Sequence, residues 1–358
     1  MTVRQLGTGI IAAPTRRAHA ATLVRWTRCR RRCDTGQRPI LNQRLSVEEC
    51  LDAVDECGAP VVSIAGGEPL LHREIEQIAA GIIRRKKFVI LCTNALLMEK
   101  KLHLFKPSPY FTWSVHLDGD KRMHDHSVCQ DGVYERAVDA IKLAKAKGFR
   151  VNINCTLFDG AEPDRVTGFF DDVMAAGVDG ITISPGYAYE RAPDQAHFLN
   201  RRKTKELFRA IFGQGERGKK WDLSQSPLFL DFLAGNQKYH CTPWGNPTRN
   251  YFGWQRPCYL LGEGYAKSFK ELMTGTNWDA YGTGNYEKCA QCMVHSGYEA
   301  TAVMDMVKHP LKALAVAMKG VRTEGAMAEE IPLDGRRPAQ YLFSRHVEDA
   351  MGHLKKAN

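Results

Sequence analysis

Two sets of residues in this chain have types and spacings suited to chemistry. The first is a group of cysteines, with Cys241 and Cys258 in a C-x11-G-x4-C arrangement through Gly253, followed by Cys289-Ala290-Gln291-Cys292. Four thiolates in two pairs satisfy a tetrahedral Zn²⁺ or a [4Fe-4S] cube equally well, and four unconnected buried cysteines would leave the same spacing. His240 and His295 stand beside the group as alternative ligands or as partners of ligands. The second set lies in VVSIAGGEPL, residues 61–70, where an apolar, β-rich run drops into Gly66-Gly67-Glu68-Pro69. Two glycines let backbone N–H and C=O groups approach a ligand closely, and the proline stiffens the exit. Such a turn at the end of a buried strand predicts a binding loop.

The elements that must position these residues alternate along the chain. Ser46, with Glu49 three residues on, is a capping-box pattern that opens a helix over 45–56. Strands are predicted over 61–65, 88–93, 111–117, 151–157 and 180–184. Between them come helices over 72–86, 133–147 and 164–176, the last two stopped by Gly148 and Gly177, and a helical stretch that ends before Pro107. Alternation of this kind predicts an α/β fold, a parallel sheet with helical crossovers closed or partly closed as a barrel.

Alternation within the strands says where such a barrel would bind something. Val151, Ile153, Cys155 and Leu157 should pack under the helices, and Asn152, Asn154 and Thr156 should face the lumen. Ser114, His116 and Asp118 share a face in the same way, as do Cys92 and Asn94, and Thr182 and Ser184. A lumen filled only for stability would carry branched aliphatics. A polar ligand cavity open at the strand C-termini is therefore expected, with internally satisfied core polar groups as the plainer reading.

The net charge of +10 suggests a nucleic acid or an anionic membrane as partner, but residues 1–38 hold nine arginines, no lysine and one acid, Asp34, and so carry +8 of it. The remaining body is nearly neutral, which removes the main support for nucleic-acid binding. The opening segment has no sustained periodicity and should be disordered; its Arg-rich, acid-poor composition is also that of a transit peptide. Eleven cysteines without a recognisable signal peptide argue for a reducing, cytoplasmic compartment. No apolar run is long enough to predict a transmembrane helix.

From residue 40 onward the chain resembles the hopanoid-biosynthesis radical S-adenosylmethionine (SAM) enzymes, the adenosylhopane synthases. The stretches that carry the resemblance include LNQRLSVEECLDAVDECGAPVVSIAGGEPL, FVILCTNALL, PSPYFTWSVHLDGDKRMHD, GFRVNINCTLFDG, YHCTPWGNPTRN, GWQRPCYLLGEGYAK and NYEKCAQCMVHSGYEA. It implies that Gly66, Gly67, Glu68 and Pro69 hold the methionine end of SAM. Asn94, Ser114, His116, Asp118 and Asn154 would then contact SAM or position substrate. It also favours an auxiliary iron–sulfur cluster over zinc at Cys241, Cys258, Cys289 and Cys292. The implied reaction is addition of a 5′-deoxyadenosyl radical to the exocyclic alkene of a hopene-type triterpene. The resulting tertiary radical needs a hydrogen atom, and Cys92 is the candidate donor, with a small buried hydrophobe as its ordinary role. An electron donor such as a flavodoxin or ferredoxin, and a peripheral contact with the inner face of the membrane, are implied as partners.

One part of the pattern departs from the family, whose members carry C-x3-C-x2-C on a strand before the segment ILN. Cys29 and Cys33 have the first spacing, but Gly36 stands in the third position. The domains expected are an Arg-rich segment over 1–39 outside the resemblance, and a (βα)6 partial TIM-type barrel over 40–230 lacking its first strand and cluster loop. A four-cysteine domain over 231–330 and a tail over 331–358 follow. Two other classes stay open, a different radical SAM modification and a non-catalytic metal-binding module.

Overall fold

The computed structural model describes residues 44–187 and 196–338, and the backbone of 20–25. Six parallel strands stand in sequence order across one sheet: β1 (Ala20–Arg25), β2 (Val61–Gly66), β3 (Phe88–Thr93), β4 (Phe111–His116), β5 (Arg150–Leu157) and β6 (Gly180–Pro185). The crossovers are α1 (Val47–Cys57), α2 (Ile75–Arg84), α3 (Met98–Lys101), α4 (Lys121–Ser127), α5 (Val133–Ala146) and α6 (Pro163–Ala175). After the sixth strand come α7 (Arg201–Gln214) and α8 (Pro227–Leu233), then the short strands β7 (Thr248–Asn250), β8 (Gly253–Gln255) and β9 (Tyr265–Ala266). The helices α9 (Phe269–Gly275), α10 (His295–Lys308) and α11 (Pro310–Lys319) complete the described part. This is the partial TIM-type barrel expected, with a C-terminal part that extends its sheet.

Local signals account for these elements. Glu49 N–H donates to Ser46 Oγ at 3.1 Å, Ser46 N–H donates to Glu49 Oε2 at 2.7 Å, and Gly58 ends α1 at φ 67°. In β5, Val151, Ile153, Cys155 and Leu157 are buried while Asn152, Asn154 and Thr156 alternate with them half-buried, as period two requires. Under the helices, Trp113 is fully buried and meets Phe105, Phe111 and Phe149 with ring centroids 4.9, 5.0 and 6.1 Å away. That aromatic block fixes β4 against its crossover helices.

The expectation of a missing first strand is corrected. Ala20–Arg25 runs parallel to β2 in the register Thr22↔Ser63 and, on its other side, pairs with β7 through Thr22↔Thr248. Its AATLVR run is short and sits in an Arg-rich segment, so periodicity alone did not single it out; its pairing is decided by two strands distant in sequence. The disorder expected for the rest of 1–38 falls outside the described residues, as do Cys29 and Cys33.

Both sheet edges are covered. On one side β7, β8 and β9 continue the sheet, the last two antiparallel. On the other, Leu223 bridges Ile181, and the Gln225 side chain accepts from Ile183 N–H at 3.0 Å and donates to its carbonyl. Trp254 of β8 donates its indole N–H to Glu56 of α1 at 2.9 Å, which ties the added strands to the first crossover helix.

Backbone amides of residues 20–25 should exchange slowly with solvent, because the strand is paired on both sides. Hydrogen-exchange mass spectrometry reads this directly, and exchange as fast as in a free peptide would contradict the pairing.

Candidate active site and four-cysteine centre

The glycine-rich loop is anchored by its own carboxylate. Glu68 is buried, its Oε1 accepts from Leu70 N–H at 3.0 Å, its Oε2 accepts from Asn94 N–H at 2.9 Å, and Thr93 Oγ1 donates to it at 2.9 Å. Burial pushes its pKa up against these three donors. Glu68 therefore stitches the end of β2 to the end of β3. Gly66 lies at φ 114°, a conformation that favours glycine, and Pro69 is buried under the turn.

Beside that loop the lumen face carries Cys92. Its Sγ lies 3.4 Å from Ser63 Oγ on β2, and in the strand register it sits opposite Ser114 on β4. Burial raises the thiol pKa, with Ser63 and Ser114 opposing it, so the group stands as S–H at neutral pH. Asn94 Oδ1 accepts from Leu96 N–H at 3.1 Å and shapes the turn after β3. His116 is paired with Asn154 and Asn154 with Thr182 across the strand ends, so these polar groups form one row.

Next to this row stand three groups whose ligand atoms lie within 4.8 Å of one another, His116, Asp118 and His124. Asp118 is buried, its Oδ2 lies 2.8 Å from His116 Nε2, and its Oδ1 accepts from Thr156 N–H at 2.9 Å. His116 is thereby oriented by a carboxylate; burial disfavours its charge, and the charge of Asp118 and the hydrogen bond outweigh that and raise its pKa. His124 accepts from Asp118 N–H through Nδ1 at 3.3 Å, and burial, with the neighbouring His116, lowers its pKa to about 4. His124 was not among the residues expected from sequence. The signal available was Asp120, which caps α4 by accepting from Met123 N–H at 2.9 Å and so turns the helix that carries His124 toward the strand ends.

Cys241, Cys258, Cys289 and Cys292 line one cavity, together with Tyr187, Pro243, Leu260, Leu261, Ser296, Gly297 and Tyr298. Burial is the largest cause raising all four thiol pKa values, to about 11 for Cys258 and about 12 for Cys292. Thiols so placed stay protonated until a cation takes them. The cradle has the room such a group needs: a Cβ at Gly297 would stand 2.7 Å from Cys241 Sγ. Four thiols lining one cavity are a donor set for either a tetrahedral metal ion or an iron–sulfur cube.

The centre is held at the barrel mouth. Arg201, buried at the start of α7, donates Nη1–H to Cys292 O at 2.9 Å, and its own N–H donates to Gln291 Oε1 at 3.0 Å. The Tyr187 hydroxyl donates to Lys288 O, and His295 Nδ1 lies 2.9 Å from Ser184 Oγ at the end of β6. Burial lowers the His295 pKa to about 4. His295 is thus a bridge between the barrel and the cysteine domain, and His240 contributes its carbonyl to Thr301 Oγ1 at 2.8 Å.

Comparison with known proteins adds the family. Residues 24–173 match the Radical SAM superfamily, and residues 181–316 match a domain of unknown function, DUF3463. The barrel strands and helices thus match the Radical SAM superfamily, and the part that follows them matches DUF3463. The first match begins inside β1, so the family's pattern reaches into the segment expected to lie outside it. GTP 3′,8-cyclase of Listeria welshimeri is 27% identical over 122 residues, 33% of this chain and 37% of that protein. Fe-coproporphyrin III synthase of Methanosarcina barkeri is 24% identical over 117 residues, 32% of this chain and 29% of that protein. The chain thus spans about a third of the length of these relatives. Streptococcus suis SuiB bound to S-adenosylmethionine superposes with a TM-score of 0.56 at 15% identity, covering 82% of this chain and 73% of that one, a likeness of fold. The superfamily uses SAM and a [4Fe-4S] cluster. The C-x3-C spacing of Cys29 and Cys33 has Gly36 where a third cysteine would follow, and all three lie outside the described residues.

Reconstituted protein should hold about four irons per chain at the C-terminal cysteines, and Cys258→Ala or Cys292→Ala should lose them. Iron and sulfide analysis checks this; unchanged iron in both variants would exclude the shared centre. A second expectation concerns His124, whose folded pKa lies below its unfolded value of 6.5. The unfolded chain binds the proton first, so stability is present above pH 6.5 and lost toward pH 4, by about 1 kcal/mol per pH unit. Chemical denaturation across that range should show a shallower slope in His124→Gln than in the wild type, the remainder coming from His295, which is lowered in the same way.

Proposed function

We propose that this chain is built to join an adenosyl group from SAM to the exocyclic alkene of a hopene-type triterpene such as diploptene, giving adenosylhopane. The electron would come from a [4Fe-4S] cluster, which Cys29 and Cys33 could hold only with a third thiolate, and would split bound SAM into methionine and a 5′-deoxyadenosyl radical. The observation that carries the reading is Cys92, a protonated thiol on the lumen face beside the glycine-rich loop. An enzyme that only abstracts hydrogen needs no such donor. Addition to an alkene forms a carbon–carbon bond and leaves a tertiary carbon radical. Cys92 then gives its hydrogen atom to that carbon, since S–H is weaker than C–H, and the sulfur radical regains an electron from a flavodoxin- or ferredoxin-class donor and a proton from solvent. Ser63 and Ser114 hold the thiol in place, the backbone of Gly66 and Gly67 receives the methionine end of SAM, and His116, fixed by Asp118, orients the nucleoside or substrate. The resemblance in FVILCTNALL and PSPYFTWSVHLDGDKRMHD supports the triterpene as acceptor, and the same reading places the protein in the cytoplasm at the inner face of the membrane.

Because Gly36 leaves two thiols where three are needed, Gly36→Cys should raise iron by about four per chain and start SAM cleavage. In that background Cys92→Ala should still form the adenosyl–carbon bond but lose the normal reduced product to alkene or to altered stereochemistry, and Cys92→Ser should behave as alanine does. Chromatography with mass spectrometry of a diploptene reaction separates the products. Normal product at an undiminished rate in Cys92→Ala would sink the donor role, and release of free 5′-deoxyadenosine without any adduct would favour a different radical SAM modification.

A further inference from the structure

α11 carries its large apolar side chains on the wrong side for a helix held only by its own domain. Its sequence, PLKALAVAMK, buries Ala313 and half-buries Val316, both small contacts. Leu311, Leu314 and Met318 are 80%, 53% and 64% exposed. They recur at i, i+3 and i+7 with exposed Ala315 among them, which puts all four on one stripe opposite Ala313. Met304 and Val307 at the end of α10 are exposed as well. Isolated surface leucines need no explanation, but a stripe of this kind marks an interaction face.

Charge selects the partner. Residues 306–323 contain Lys308, Lys312, Lys319 and Arg322 and no acid. Asp305, just before them, is already engaged by Lys312 at 2.6 Å and His309 at 2.7 Å. The Arg322 guanidinium donates to the backbone carbonyls of Glu324 and Ala326, and the Asp231 carboxylate accepts from its backbone N–H at 3.4 Å, with no ion pair between the two side chains among the described residues. A second copy docking face to face would bring these same cations together without acids to receive them. An apolar stripe bordered by lysine and arginine matches the headgroup boundary of an anionic bilayer.

We propose that the outer face of α11 is a docking surface for membranes containing anionic lipid. Leu311, Leu314 and Met318 enter the acyl boundary, and Lys308, Lys319 and Arg322 meet the phosphates. No helix among the described residues is long and apolar enough to cross a membrane, so the contact is peripheral. The surface deepens the proposed function, resting on that reading only for its purpose, which is to bring the barrel to the phase where a triterpene dissolves.

The test is co-sedimentation of the full chain with vesicles of phosphatidylcholine, with and without phosphatidylglycerol, a measurement that needs neither SAM cleavage nor product. Binding should be at least about tenfold stronger with phosphatidylglycerol and fall with added salt. Leu311→Ser with Leu314→Ser should weaken it about a hundredfold, and Lys308→Gln with Lys319→Gln about tenfold or more. Leu71→Ser, at another exposed leucine, should change nothing, and circular dichroism should be unaltered throughout because these side chains lie outside the core. Equal binding by wild type and the double variants, or none by wild type, overturns the proposal. So does a lipid-free dimer in sedimentation velocity that Leu311→Ser dissolves, which would give the face to a second copy.

Discussion

Every candidate group in the barrel owes its position to one constraint, the period-two alternation of parallel strands whose outer face must be apolar. The helices demand Trp113, Val115, Ile153 and Cys155 on their side, and this leaves Ser114, His116, Asn154 and Cys92 on the other. Because neighbouring strands are in parallel register, the polar residues at successive strand ends fall into a row. A one-residue slip of β4 would send His116 under the helices and Trp113 into the lumen, at the expense of the aromatic block that holds it. The chemistry-bearing row is thus protected by the packing of residues that never touch it.

Two carboxylates show how that row is made rigid. Glu68 and Asp118 stand among residues that sequence reasoning assigns to ligand contact, and each has its oxygens engaged within the protein, Glu68 by Leu70 and Asn94 N–H and the Thr93 hydroxyl, Asp118 by Thr156 N–H and the His116 imidazole. A buried carboxylate is costly unless hydrogen-bonded, so both are tied to the strand ends they stabilise. What they leave for a ligand is geometry: a glycine backbone held open beside Glu68 and an imidazole held in one orientation by Asp118.

The cysteine domain is joined to the barrel by contacts of a different kind. Trp254 reaches Glu56 on the first crossover helix, Arg201 reaches the carbonyl of Cys292, and His295 reaches Ser184 at the end of the sixth strand. The four-thiol cavity is therefore fixed relative to the lumen. Glu299, one turn after His295 on α10, accepts from Ser226 N–H at 2.8 Å, and burial raises its pKa to about 7.

The order of strands and helices from Ser46 to Pro185 except α4, and the candidate loop, lumen face and cysteine set, were legible in the residues, because capping, alternation and thiol spacing are local in sequence or chemically distinctive. The role of β1 was not legible, since a six-residue run gains its strand character only from β2 and β7, and the latter lies more than two hundred residues away. Nor was His124, whose nearness to Asp118 depends on how α4 leaves the strand. The inward turn of Glu68 and the outward face of α11 were likewise decided by tertiary structure. A carboxylate's partners and a helix's exposed side are set by what packs against them, whereas periodicity reports only that a face exists.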